Sequence, residues 1–204
     1  PQLFPAANHF FNQRKALASA MTELPAEIRK VLDTPLAWFK ENALRTPSTG
    51  ESIVTEVAFV LDKSSSMNTG KSVTMEGFNT QLDRFREGAK EIGETRMTLT
   101  QFSDEVSVSY SSIPVDQAEP LTHENYRPAG YTALYDGVGD TIAALLRLPH
   151  IDSPSCATLV TIFTDGEENA STFYNKAQIS KMISDIQELN GWEVIFMGAN
   201  ISNF

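Results

Sequence analysis

Three short stretches carry side chains whose types and spacing could hold a metal ion. Asp62-Lys63-Ser64-Ser65-Ser66 follows an apolar run and places hydroxyls two and four residues after a carboxylate. One tight loop then offers three hard oxygen donors. Hard oxygens suit Mg²⁺ or Mn²⁺, and few fixed carboxylates suit an ion that keeps part of its water. Alone the pattern is weak, because Asp and Ser are ordinary turn and N-cap residues. Gly130-Tyr131-Thr132 adds a hydroxyl at the start of a helical pattern over 133–148, and Thr164-Asp165-Gly166 adds a second carboxylate after another apolar run. Cys156 is the only cysteine, so neither a disulfide framework nor a Cys/His zinc cluster is available. His9, His123 and His150 are scattered, with no nucleophile pattern nearby, and read as surface residues.

The elements between these loops must bring them together. Residues 53–61 are a nearly unbroken apolar run, as expected for a central strand covered on both faces. Met75, Phe78, Leu82, Phe85, Ala89 and Ile92 step by three and four, which predicts a helix. Strands are expected over 95–102 and 106–110, joined by Ser103-Asp104-Glu105. That turn is too short for a crossover, so the second strand is antiparallel and lies at a sheet edge. Leu134, Val138, Ile142, Leu145 and Leu146 mark another helix, 158–163 a buried strand, Ile179, Met182, Ile183, Ile186 and Leu189 a further helix, and 192–197 a last strand. The alternation implies an α/β, doubly wound, mostly parallel Rossmann-like sheet with one antiparallel edge strand. Sites in such sheets lie beyond the carboxyl ends of the strands, where all three loops emerge.

The polar stretch 46–52 reads as a linker. Residues 1–50 therefore form a helical N-terminal extension with its linker, and 51–204 the main domain. Phe10, Leu17, Met21 and Leu24 recur at helical spacings, and Thr34-Pro35 is a helix start. Only three long helices follow the strands, which leaves one sheet face partly bare, so the extension is expected to pack against it.

Over residues 53–204 the sequence resembles the von Willebrand factor A-type domain with its metal-ion-dependent adhesion site, of the intracellular bacterial or phage single-domain kind. The matching segments are 59–67, 130–136 and 163–169, in that order. The resemblance implies that Ser64, Ser66 and Thr132 supply hydroxyl oxygens to Mg²⁺ (or Mn²⁺). Asp62 and Asp165 then contact the ion directly or through water. It also implies a protein partner whose Asp or Glu carboxylate completes the ion's coordination. Ser65 stands where the family commonly has glycine, and its side chain is not needed as a ligand.

Composition narrows the rest. The 204 residues are 41% hydrophobic and 21% charged, as in a folded globular chain. Sixteen Lys+Arg against 26 Asp+Glu leave a net charge of −10, which repels nucleic acid and anionic lipid. No apolar run approaches the roughly 18 residues of a membrane helix, and no signal peptide is evident, so a cytoplasmic location is expected, or a virion if the chain is phage-encoded. The function expected is an assembly or adaptor role. The alternatives are a component of a chelatase-like or ATPase-associated complex or of a phage particle, and a metal-dependent phosphoryl hydrolase. Catalysis is not expected: Ser64 rather than a second acid follows Asp62 at the second position, and no histidine or phosphate loop sits in the motifs. Glu167 and Glu168 read as a solvated face, Cys156 as a small buried thiol, and Asp136 either as a backbone acceptor or as an ordinary first-turn acid. Tyr131 should project near the ion, either to shape a partner surface or to pack over the loop. Partner identity and oligomeric state stay open.

Overall fold

The computed structural model describes residues 54–189 and 191–197, so the expected N-terminal extension lies outside the described residues. The elements are β1 (Val54–Asp62), α1 (Lys71–Ile92), β2 (Thr95–Phe102), β3 (Val106–Pro114), α2 (Leu134–Leu145), β4 (Cys156–Phe163), α3 (Lys176–Gln187) and β5 (Trp192–Met197). The sheet order is β3-β2-β1-β4-β5. β1 lies parallel between β2 and β4, in register from Asp62↔Phe102 on one side to Leu61↔Phe163 on the other. β5 continues parallel beyond β4, and β3 is the one antiparallel strand. This is the doubly wound sheet that the alternation of apolar periods predicts.

Alternation along β1 divides the core into two layers. Val57, Phe59 and Leu61 meet Phe78, Leu82 and Phe85 of α1. The Phe59 and Phe78 rings pack edge to face at 5.1 Å and 73°. On the other side Ala58 and Val60 join Val138 and Ile142 of α2 and Ile179, Met182 and Ile186 of α3. α2 lies close to the sheet because Gly137 has no side chain: a Cβ there would stand 2.8 Å from the Phe102 ring. α3 opens on a capping box, with Asn175 accepting from the Gln178 N–H and Gln178 reaching back.

Some boundaries differ from those read in the sequence. β3 runs to Pro114 rather than stopping at Tyr110, because its irregular pairing with β2 hides the strand period. Within that stretch Ser112 has φ 47°, and its N–H donates to Thr98 Oγ1 at 2.9 Å. α1 begins at Lys71, and β4 two residues before the expected 158. His150 is not a surface residue. It is half-buried, with Nε2 2.7 Å from Oε1 of the fully buried Glu56, at the sheet edge opposite the three loops.

Candidate metal centre

Asp62 is the last residue of β1 and is fully buried. Its Oδ1 accepts the Ser64 N–H at 2.6 Å, and its Oδ2 accepts the Thr164 hydroxyl at 2.6 Å. The main chain is equally constrained: the Tyr126 hydroxyl donates to the Asp62 carbonyl at 2.7 Å, and the Lys63 N–H to the Phe102 carbonyl at 2.8 Å. Burial pushes the Asp62 carboxyl above its ordinary range. The bonds from Thr164 and Ser64 oppose that rise, and the neighbouring Asp165 charge adds to it.

The other expected ligands assemble around this carboxylate. Ser64 Oγ lies 2.9 Å from Ser66 Oγ, and the Ser66 hydroxyl donates to Asp165 Oδ1 at 2.7 Å. Ser64 and Thr132 are buried, whereas Ser66 faces solvent. Gly166 marks where the donors converge. A Cβ at that position would lie 3.2 Å from Thr132 Oγ1, 3.5 Å from Ser66 Oγ and 3.7 Å from Asp62 Oδ2. All five residues expected from the sequence therefore meet in one place, brought there by the ends of β1 and β4 and the start of α2.

Hydrogen bonds between the loops hold this arrangement. The Ser65 N–H donates to the Gly130 carbonyl at 3.0 Å, and the Ala129 N–H to the Lys63 carbonyl at 2.7 Å. The Thr132 N–H reaches Asn169 Oδ1 at 2.8 Å, while the Asn169 N–H returns to the Thr132 carbonyl at 3.0 Å. Gly130 turns the chain with φ +84°, a left-handed conformation that favours glycine. A side chain there would also strike Asp104, whose Oδ1 accepts the Tyr131 N–H at 3.1 Å.

The donor set fits a hard divalent cation. Among the described residues there is no group of three or more His, Cys, Asp or Glu side chains that could hold a metal ion. The two carboxylates and three hydroxyls gathered here are all oxygen donors of low total charge, a set that would suit a hard divalent ion such as Mg²⁺ or Mn²⁺. Lys63, next in sequence to Asp62, sends its Nζ to Ser107 Oγ at 3.1 Å.

Two acids stabilise the site, of which Glu168 is not legible as such in the sequence and Asp136 is open there between two roles. Glu168, expected on a solvated face, instead accepts the N–H groups of Ala170 and Ser171 and the Ser171 hydroxyl at 2.7–2.9 Å, and the Tyr135 N–H at 3.0 Å. It stands where the loop after β4 folds over the start of α2, whose first amides have no partner within the helix. Asp136 takes the backbone-acceptor role, binding the N–H groups of Thr172, Phe173 and Tyr174 at 2.8, 3.0 and 2.9 Å. The loop carrying Asp165 is thereby strapped to the helix that follows Thr132. Glu167 is exposed, and Cys156 is buried as expected.

The strand order, the antiparallel edge strand and the helices on both faces define a von Willebrand factor A-type fold. Similar solved structures include proximal thread matrix protein 1 from the mussel byssus with a zinc occupied MIDAS motif. It has 18% identity and a TM-score of 0.48, over 72% of this chain and 36% of that one. A von Willebrand factor type A structure from Catenulispora acidiphila has 13% identity and a TM-score of 0.45, over 74% and 34%. The ArnB paralog VWA2 from Sulfolobus acidocaldarius has 17% identity and a TM-score of 0.43, over 75% and 36%. The chain thus spans about a third of the length of these structures. No protein-family model and no curated protein matches the sequence. No helix among the described residues is long and apolar enough to cross a membrane.

Proposed function

We propose that the chain is a divalent-metal-dependent protein-interaction module with an assembly or adaptor role and no catalytic one. Asp62, Ser64, Ser66, Thr132 and Asp165 would hold Mg²⁺ or Mn²⁺. The observation that carries this reading is the convergence of Thr132 Oγ1, Ser66 Oγ and Asp62 Oδ2 on Gly166. When bound, the ion supplies an electrophilic position that a carboxylate from a partner protein can reach.

The chain's own groups do the positioning. Asp62 is immobilised by its two bonds, so its carboxylate needs little reorganisation. Thr132 is set by its reciprocal pair with Asn169. Ser66 and Asp165 stand on the solvent side, which leaves an approach for a partner. The three hydroxyls carry no charge, so an incoming anion gains more here than at a carboxylate-rich centre. The net charge of −10 disfavours a broadly acidic partner surface and favours one well-placed Asp or Glu.

Calorimetric titration of the metal-stripped chain with Mn²⁺ and Mg²⁺ tests the reading. One site is expected, together with a rise in thermal stability on saturation that chelator reverses. Absence of binding up to millimolar metal would refute it.

A further inference from the structure

We propose that the partner's acidic residue is flanked by apolar side chains that rest on Tyr131 and Phe173, two aromatic rings beside the metal loops. This specifies the partner for the metal-dependent reading above and rests on it. The exposed large hydrophobic residues among those described are Val73, Val108, Tyr131 and Phe173. Tyr131 is 68% exposed and directly precedes the ligand Thr132, and Phe173 is 80% exposed on the loop that carries Asp165. A lone exposed aromatic is unremarkable. These two differ because their backbones are fixed to acids of the same assembly.

The Tyr131 N–H is bonded to Asp104, behind a glycine that cannot accept a side chain. The Phe173 N–H is bonded to Asp136, in the first turn of the helix that follows Thr132. Rings on a preorganised backbone lose little conformational freedom when a partner covers them, which makes aromatics effective anchors. Charge decides what that partner carries. With the chain at −10 and Glu167 exposed beside the site, extra partner acids are repelled, so the groups around the single carboxylate are neutral or basic, and those that cover the two exposed rings are apolar. A short acidic segment with aromatic or aliphatic neighbours meets both demands.

The experiment pans a randomised heptapeptide display library on the immobilised full chain in Mn²⁺, with elution by chelator. Enriched peptides should carry an Asp or Glu with Phe, Tyr, Trp, Leu or Ile within two positions. A synthetic peptide of the enriched sequence should lose roughly tenfold or more in affinity for the Tyr131→Ala/Phe173→Ala double variant. The Mn²⁺ affinity of that variant, measured by calorimetry, should be unchanged. The proposal is overturned, with the metal reading intact, if Mn²⁺ binds but enriched peptides lack apolar neighbours, if nothing enriches, or if the double variant binds the peptide as well as wild type. A Mn²⁺-dependent dimer lost on Phe173→Ala would overturn it by making a second copy the occupant. Failure of the chain to bind Mn²⁺, or peptide retention in chelator, overturns the metal reading itself.

Discussion

Oε1 of Glu56 and Nε2 of His150 lie 2.7 Å apart, although 94 positions separate the two residues in the chain. Glu56 is fully buried in the central strand, and the same oxygen accepts the Ser112 hydroxyl at 2.7 Å and lies 3.6 Å from Arg96 Nε. Arg96 also donates to the Ser112 carbonyl and to Glu94. One buried acid thus ties the edge strand β3 and the loop after α2 to the middle of the sheet, at the end away from the metal loops.

A stability asymmetry follows. Arg96→Met leaves the buried Glu56 with His150 and the Ser112 hydroxyl as its remaining partners and should cost about 2 kcal/mol, whereas Glu56→Leu removes the acid and fills its space, and should cost less than half as much. Urea unfolding of the two variants measures this, and the reverse order would show that Glu56 is not the group in need of compensation. Neither variant should alter Mn²⁺ affinity.

Gly166→Ala should weaken Mn²⁺ binding by roughly tenfold, about 1.4 kcal/mol, while leaving thermal stability without metal nearly unchanged. The added methyl would enter the space between Thr132 Oγ1, Ser66 Oγ and Asp62 Oδ2. Titration calorimetry of the variant reads this directly, and wild-type affinity would mean that the ion sits elsewhere.

Asp165→Ala should weaken Mn²⁺ binding far more than Ser65→Ala. Asp165 supplies one of two carboxylates in a cluster otherwise made of hydroxyls, whereas the bond from Ser65 to Gly130 comes from its backbone N–H and survives the substitution. Equal affinities in the two variants would count against Asp165 as a ligand. Thr132→Ala should also reduce affinity while preserving the fold.

Asp136→Asn should destabilise the domain by about 2 kcal/mol, because a neutral amide replaces an anion that accepts three backbone N–H bonds. Hydrogen exchange at Thr172, Phe173 and Tyr174 should accelerate in the variant. Wild-type protection at those amides would show that other contacts hold the loop.

The candidate loops were legible because Asp62, Ser64 and Ser66 fall at alternate positions directly after one apolar run, Asp165 lies just after another, and Thr132 opens a helical pattern. Asp62, Ser64 and Ser66 needed only a strand end, and Asp165 a second one. The groups that hold those donors in place were harder to read. Glu168 and Asp136 act on backbone amides of a loop without periodicity, and an acid near a helix start looks the same whether it faces water or a chain segment. His150 was misread for a related reason: its partner Glu56 lies inside an apolar run, and only the paired strands reveal that they meet. The tail of β3 escaped because its pairing with β2 breaks register twice.

The bond between Asp62 and Thr164 spans 102 residues of sequence, and its position has a consequence for synthesis. A nascent chain that has emerged only through α2 already carries Asp62, Ser64, Ser66 and Thr132, yet it lacks the second carboxylate and the strand that aligns it. Contacts of such sequence separation form late, since the long intervening loop must close before they contribute. On the proposed function, ion capture would be deferred until β4 leaves the ribosome and docks beside β1. A refolding experiment that follows Mn²⁺ uptake would report the arrival of the fourth strand, and partner recruitment would become available only to chains that have passed that step.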